Sequence, residues 1–240
     1  WPLAAGLVWS LLLFKPQYFL AAAFVALILT LIGRHRTFIG MTMGVTFLIA
    51  LTAMVFPPGL TIQWLQSHRV SDSIFSSGLH GIPAHLITGL PANLMILFQP
   101  SARAALKWPL YAGAAVLWLV GLWQGVKLAR ARLADPMWIS LALVIGVLLC
   151  SLTLPHLLYY DLCVLLPAGA LLLAKERPLP RQKYFRAIGL AGWVVVSAFL
   201  PLLLAFTDQT MLPLILELLL LVLFFVLLSR LKHVRDPACA

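Results

Sequence analysis

Five polar side chains stand inside or at the edges of long apolar runs, and they are the first candidates for chemistry. They are Lys15, Gln17, His156, Asp161 and Glu217. A charged group in hydrocarbon costs several kcal/mol unless a partner or a function offsets that cost. Each of them is therefore a candidate for binding or catalysis, positioned by the apolar segments on either side of it.

The run Lys15-Pro16-Gln17 interrupts an apolar stretch near the start of the chain. The Lys15 ammonium is a compact charge suited to a phosphate, and the Gln17 amide can hydrogen-bond a sugar or phosphate oxygen. Alternatively, a lysine near a helix end simply extends its ammonium to the lipid headgroups. Both interpretations stay open, and the adjoining Pro16 and Gln17 favour a site.

A second polar cluster occupies a short connection between two apolar runs, with the sequence Leu-Pro-His-Leu-Leu-Tyr-Tyr-Asp-Leu at residues 154–162. His156 is suited to donate a hydrogen bond to a phosphate or to orient a hydroxyl. Tyr159 and Tyr160 can stack on a sugar or an isoprenoid, beside Asp161. For these last three residues an interfacial aromatic belt with a capping aspartate is the favoured alternative, whereas for His156 we favour function.

Glu217 lies six positions into the last apolar run. It can act as a proton relay, but a neutral carboxyl hydrogen-bonded to a neighbouring helix is the favoured interpretation. No metal site is predicted, because the spacing of His80 and His85 misses the helical spacing of four. Asp72 fits a turn or cap better than a catalytic base.

The composition defines the solvent in which these residues must work. The 240 residues are 62% hydrophobic and 10% charged, with a mean hydropathy of +1.02. This leaves too little polar surface for a water-soluble globule, so we expect an all-α, polytopic transmembrane helix bundle. At about 20 residues per span the chain has room for about eight spans. The predicted helices cover residues 3–14, 16–32, 37–56, 108–126, 137–154, 159–174, 187–206 and 211–229.

The basic residues predict the orientation of these spans. Most of the 17 Lys and Arg residues fall in four clusters, after the spans that end at residues 32, 126, 174 and 229. By the positive-inside rule those clusters are cytoplasmic, which makes the net charge of +10 a topological feature rather than a nucleic-acid site. The prediction requires residues 85–98 to be re-entrant or interfacial. Residues 57–107 then form an outer loop with interfacial helices, in a single transmembrane domain covering residues 1–240.

The two polar motifs at Lys15-Pro16-Gln17 and at residues 155–162 resemble those of glycosyltransferase family 87, which contains polyprenyl-phosphate-mannose-dependent mannosyltransferases of bacterial envelopes. The resemblance implies a GT-C-like fold in the bacterial inner membrane, multi-pass, with a cytoplasmic C-terminus. It also implies transfer of mannose or a similar sugar from a polyprenyl-phosphate donor to an envelope glycolipid or glycan at the outer face. Lys15, Gln17 and His156 would then bind the donor phosphate, and Tyr159, Tyr160 and Asp161 would bind substrate.

The same resemblance implies a catalytic aspartate in an outer loop upstream of residue 1, because the chain begins at Trp1 and is expected to be N-terminally truncated. Asp72 does not replace that residue, and no metal or cofactor is expected. Two other classes remain as alternatives. One is a transporter or lipid-carrier flippase with Lys15 and Glu217 lining the pathway, and the other is an assembly or export partner without chemistry of its own.

Overall fold

The computed structural model is built almost wholly from helices. It describes residues 1–57, 59–60, 62–63, 66, 87–98, 100–131, 137–154, 157–158, 165, 168 and 211–233. The helices within these ranges are α1 (Pro2–Ser10), α2 (Pro16–Leu31), α3 (Arg36–Val55), α4 (Leu90–Ile96), α5 (Pro100–Ala131), α6 (Met137–Thr153) and α7 (Met211–His233). Two short strands, β1 (Ile87–Thr88) and β2 (Leu157–Leu158), form an antiparallel pair.

The first apolar stretch breaks at Lys15, as the sequence predicts. A 3₁₀ turn at Leu11–Phe14 extends α1, Lys15 leaves the helical conformation, and Pro16 occupies the first turn of α2. Proline suits that position because its missing N–H would have no partner in the helix. At the other end of α2, Gly33 takes a φ of 84° and allows the Arg34 N–H to reach the Leu29 carbonyl at 2.8 Å.

Helices α1 and α3 lie side by side at very close range, through small residues on both. A Cβ added to Gly40 would overlap the Leu3 carbonyl oxygen, and one added to Gly44 would overlap the Ser10 hydroxyl. The contacts advance in the same direction along both helices, so α1 and α3 are parallel. Helix α2, which connects them in the sequence, runs in the opposite direction. Small residues four apart are typical of helix association in membranes, because they let the backbones approach.

The core forms where α2, α5, α6 and α7 meet. The Phe24 and Trp118 rings pack edge to face with centroids 5.6 Å apart. Gly146 on α6 lets α2 come close, since a Cβ there would lie 3.1 Å from the Ala21 carbonyl oxygen. The Trp118 indole N–H donates to the Thr153 hydroxyl at 2.8 Å and joins α5 to the end of α6.

The apolar outer faces of these helices are the clearest sign of a lipid environment. On α3, Phe47 is 65% and Met54 is 85% exposed, and on α5 Leu119 is 65% exposed. Contiguous exposed apolar surface of this kind is rare on soluble monomers. Two helical stretches in the described part, Arg36–Val55 and Ala105–Ala131, are long and apolar enough to cross a membrane.

The described part of the structure contains fewer helices of spanning length than the eight spans predicted from the sequence. The apolar stretches of the other helices in the described residues, Pro2–Phe14, Tyr18–Leu31, Trp138–Thr153 and Pro213–Ser229, are 10–17 residues long. They fall short of the roughly 20 residues that a straight crossing needs. The structure therefore shows a helical protein with two stretches of spanning length in its described part, and not a bundle of eight spans.

The helix positions otherwise follow the predicted segments closely. Residues 37–56 correspond to α3 and residues 137–154 to α6, whereas α7 continues four residues beyond the predicted 229. Helix α5 begins at Pro100 rather than at residue 108, so the end of the predicted outer loop is helical. The predicted segments 159–174 and 187–206 lie outside the described residues, except for the buried helical positions Leu165 and Ala168.

Candidate functional site

Helix direction places the two predicted polar motifs at the same end of the bundle. Ala21 of α2 lies against Gly146 of α6, whereas Leu29 and Ile139 line one open cavity of about 730 Å³ further along both helices. Helices α2 and α6 are therefore antiparallel. Lys15 directly precedes α2, and the connection that contains His156 directly follows α6, so both stand at what we call the Lys15 end.

Lys15 is half-buried at this end and engages an aromatic side chain that follows it in the sequence. Its Nζ lies 3.4 Å from the Tyr18 hydroxyl oxygen, to which it donates, and 4.8 Å from the centroid of the Tyr18 ring. A cation over an aromatic face is stabilised by the ring quadrupole. Gln17 lies in the first turn of α2, but its side chain is outside the described part of the structure.

The connection after α6 is tied to a distant segment through β1 and β2. Leu157 pairs with Thr88, and Leu158 pairs with Ile87. The pairing places the backbone of Leu157 and Leu158, two residues within the motif that contains His156, beside residues 87–88. His156, Tyr159, Tyr160 and Asp161 themselves lie outside the described residues.

Residues 87–98 fold into β1, a sharp bend at Gly89 and the seven-residue helix α4. This helix is too short to cross a membrane, which agrees with the prediction that the segment is not a span. It packs against α5, α6 and α7, and Ala92, Asn93 and Met95 are buried. The neighbouring helices thus surround this part of the segment with protein, as irregular backbone needs where water is absent.

Glu217 of α7 is the polar centre of this end of the bundle and is completely buried. Its Oε1 accepts hydrogen bonds from the Gly89 backbone N–H and from the Asn93 Nδ2, the latter at 2.8 Å. The carboxyl is therefore hydrogen-bonded to a neighbouring segment, as the favoured sequence interpretation has it. Because Glu217 stands near the start of α7, that end of α7 also lies at the Lys15 end.

The second oxygen of this carboxyl has a different environment. Within the described residues, Glu217 Oε2 and Ser151 Oγ are the buried side-chain oxygens without a hydrogen-bond partner. Native proteins contain few such atoms, and each costs about 1–3 kcal/mol. The carboxyl thus accepts both hydrogen bonds through Oε1, whereas Oε2 has no partner among the described residues.

Gly89 makes the bend that delivers its own N–H to this carboxyl. Its φ is 124° and its ψ is 115°, a conformation that residues with a Cβ rarely adopt. The Asn93 N–H then donates to the Gly89 carbonyl at 3.0 Å and closes the first turn of α4. The backbone conformation of Gly89 therefore directs its N–H towards Glu217, and the hydrogen bond to Glu217 in turn stabilises that conformation.

Three residues of this site were not selected from the sequence: Tyr18, Gly89 and Asn93. Tyr18 stands three positions after Lys15, a spacing that places side chains together on a helix. Asn93 is an amide within a short apolar stretch, and Gly89 lies within residues 85–98, which were predicted as a segment and not as individual site residues. The pairing of this segment with Glu217 joins residues 124 and 128 positions apart, which no local pattern indicates.

The site shows no constellation for metal binding within its described residues, where no group of three or more His, Cys, Asp or Glu side chains could hold a metal ion. Its described polar groups are the half-buried Lys15 ammonium, the buried Glu217 carboxyl, and the Asn93 amide and Gly89 N–H that donate to this carboxyl. Comparison of the chain with protein-family models, curated proteins and solved structures finds no match.

Proposed function

We propose that the chain is part of a membrane glycosyltransferase that moves mannose or a similar sugar from a polyprenyl phosphate to an envelope glycolipid or glycan. The observation that carries this proposal is the common location of Lys15 and the His156 connection at one end of the bundle. The proposed setting is a GT-C-like helical bundle in a bacterial inner membrane. The Lys15 end then faces the non-cytoplasmic side, and the C-terminus is cytoplasmic.

The Lys15 ammonium has the properties that this reaction needs. The polyprenyl phosphate gains negative charge as the glycosidic bond breaks, and a preorganised cation in a low-dielectric site stabilises that charge. An ammonium carries three N–H donors. Tyr18 can therefore hold Lys15 in place while another donor addresses a phosphate oxygen.

The remaining assignments follow the sequence motifs. Gln17 and His156 complete the donor-phosphate site, and Tyr159, Tyr160 and Asp161 contact the sugar or the isoprenoid. The β1–β2 pair supports this arrangement because it holds Leu157, the residue after His156, against Thr88. Membrane lipids surround the bundle and deliver the donor laterally.

The decisive experiment measures transfer of radiolabelled sugar from a polyprenyl phosphate donor by the full-length protein in proteoliposomes. We expect Lys15→Ala to lower kcat/KM by about 100-fold, since removing one preorganised charge-stabilising donor has an effect of that order. Lys107→Ala is the matched control, because Lys107 also lies near an aromatic ring, 6.0 Å from the Tyr111 centroid. Equal activities for the two variants would contradict the assignment of Lys15.

A transporter or lipid-carrier flippase is the second candidate function, and Glu217 is the observation that favours it. A completely buried carboxyl with one unpartnered oxygen in an apolar bundle is typical of proton and ion pathways. The same proteoliposomes distinguish the candidates. Proton-coupled flux of the lipid carrier without sugar transfer would favour transport, whereas transfer without a proton gradient favours the enzyme.

A further inference from the structure

Glu217 connects three segments that are far apart in the sequence. Its Oε1 holds Gly89 and Asn93, at the bend and in the first turns of α4. Gly89 directly follows Thr88, which pairs with Leu157, and Leu157 directly follows His156. A continuous path of two hydrogen-bonded steps therefore leads from the carboxyl on α7 to the motif that contains His156.

We propose that Glu217 is a positioning residue: it anchors residues 87–93 and thereby fixes the connection that carries His156. Its effect on sugar transfer rests on the proposed function, whereas the anchoring itself does not. In this role the residue touches neither donor nor acceptor. It sets where the β1–β2 pair stands relative to the Lys15 end.

The hydrogen-bond geometry indicates which part of the side chain matters. Both donors go to Oε1, and Oε2 has no partner among the described residues. A glutamine places a carbonyl oxygen at the same position and accepts the same two hydrogen bonds, although it cannot carry a proton. Anchoring therefore survives Glu217→Gln, but a role as proton carrier or as a charged ligand does not.

Neighbouring positions provide the control for the test. Leu219 is on the same helix, two residues further on, and is 59% exposed. Leu219→Ala removes a side chain of similar size from α7 and leaves both hydrogen bonds of Glu217 in place. It reports the general effect of changing this helix on expression and insertion.

The first measurement follows the anchor without an activity assay. Cysteines at Ile87 and Leu158, which are paired positions in the β1–β2 register, are introduced into the full-length protein, and their oxidative cross-linking is followed in the membrane. We expect Glu217→Ala to lower the rate of cross-linking at least about fivefold, as a segment freed from its buried hydrogen bonds moves away. Glu217→Gln and Leu219→Ala should cross-link at the rate of the parent.

The second measurement is sugar transfer by the same variants without the added cysteines. We expect Glu217→Ala to lower kcat by about 30- to 100-fold, since small misplacements of a catalytic group have effects of this order. Glu217→Gln should stay within about threefold of the parent at unchanged donor KM. Rescue by the isosteric amide separates positioning from a chemical role of the carboxyl.

Two results would overturn the proposal. Unchanged cross-linking in Glu217→Ala would show that the carboxyl does not hold the segment. Loss of activity in Glu217→Gln equal to that in Glu217→Ala, with cross-linking intact in both, would show that the carboxyl itself carries a proton or a charge. Absence of transfer by the parent protein would remove the proposed function, and the cross-linking result would then decide the anchor by itself.

Discussion

The α1–α3 pair and the contact between α4 and α7 hold helices together in opposite ways. Between α1 and α3, Gly6, Gly40 and Gly44 bring the two backbones into direct contact. Between α4 and α7, the buried Glu217 carboxyl accepts hydrogen bonds from Gly89 and Asn93. Lipid gives helices no hydrophobic reason to associate, so close backbone packing and interhelical hydrogen bonds have to do this work.

The difference predicts how each region responds to substitution. A backbone contact has no room for an added methyl group, whereas a hydrogen-bonded contact tolerates a change of side chain that keeps an acceptor in place. The α1–α3 pair is therefore specified by the size of its residues, and the α4–α7 contact by their polarity. In the described residues the second region adjoins the His156 motif through the β1–β2 pair, so substitutions there should affect activity beyond their effect on stability.

The largest effect is expected for Gly40→Ala. The added Cβ would overlap the Leu3 carbonyl oxygen, which is backbone and cannot rotate away, so α1 and α3 must separate. We expect a loss of about 3 kcal/mol in the free energy of unfolding, at the upper end for overpacking. Unfolding of the purified protein by SDS, followed by tryptophan fluorescence, measures this loss.

Gly113→Ala is the control for Gly40→Ala, because Gly113 is also helical and has no atom within 4 Å of an added Cβ. Alanine there should leave the protein unchanged or stabilise it by about 0.5 kcal/mol, through lower entropy of the unfolded chain. Similar losses for the two variants would contradict the α1–α3 contact as the cause, because alanine by itself favours a helix over glycine.

Much of this helical arrangement could be predicted from the sequence, because its causes are local. Proline after a lone lysine marks the break between α1 and α2, and apolar runs that follow basic clusters give α3 and α6 within one residue at each end. The predicted start of α5 was wrong. Residues 100–107 include polar and charged side chains, and these favoured a loop over a helix. The number of spans in the described residues was overestimated because apolar runs shorter than about 20 residues, such as residues 3–14, were counted as full crossings.

The candidate site could be predicted only in part. Lys15 and Glu217 are conspicuous as charged groups in apolar runs, and their polarity alone justifies selecting them. Their partners differ in this respect. Tyr18 follows from helical spacing, whereas Gly89 and Asn93 become partners of Glu217 only through the packing of α4 against α7, which brings distant residues together. Such contacts depend on tertiary structure that no local pattern contains.

An intermediate effect is expected for Gly89→Ala, which tests the α4–α7 contact from the backbone side. A residue with a Cβ is strained at a φ of 124°, at a cost of about 1–3 kcal/mol. The bend should relax and withdraw its N–H from Glu217. We expect lower sugar transfer and slower cross-linking between cysteines at positions 87 and 158, as for Glu217→Ala.

Gly33→Ala separates strain from location, because Gly33 has a φ of 84° with no atom within 4 Å of an added Cβ and lies at the far end of α2. It should lower stability by about 1 kcal/mol and leave cross-linking unchanged. If Gly33→Ala slowed cross-linking as much as Gly89→Ala, the bend at Gly89 would have no special connection to the β1–β2 pair.

The smallest effect is expected for Trp118→Phe, which removes a single interhelical hydrogen bond. The Trp118 indole donates to the Thr153 hydroxyl at 2.8 Å, and that hydroxyl in turn donates to the Leu149 carbonyl at 2.7 Å. Thr153 therefore keeps a partner when the indole is lost, and phenylalanine still presents an aromatic face to Phe24. We expect a loss of about 0.6 kcal/mol, the average for such bonds in a membrane protein.

This small value is informative because Thr153 ends α6, directly before the connection to His156. Trp123→Phe serves as the control. The Trp123 side chain is 59% exposed, and its ring centroid lies 4.3 Å from Nζ of Lys127, a residue of the same helix. SDS unfolding measures both stabilities, and the sugar-transfer assay shows whether the end of α6 moves. Trp118→Phe could lower sugar transfer as strongly as Glu217→Ala while its stability hardly changed. That result would show that the His156 connection is positioned from α5 and α6 rather than from α7. The contrast between the two regions would then no longer explain where activity is sensitive to substitution.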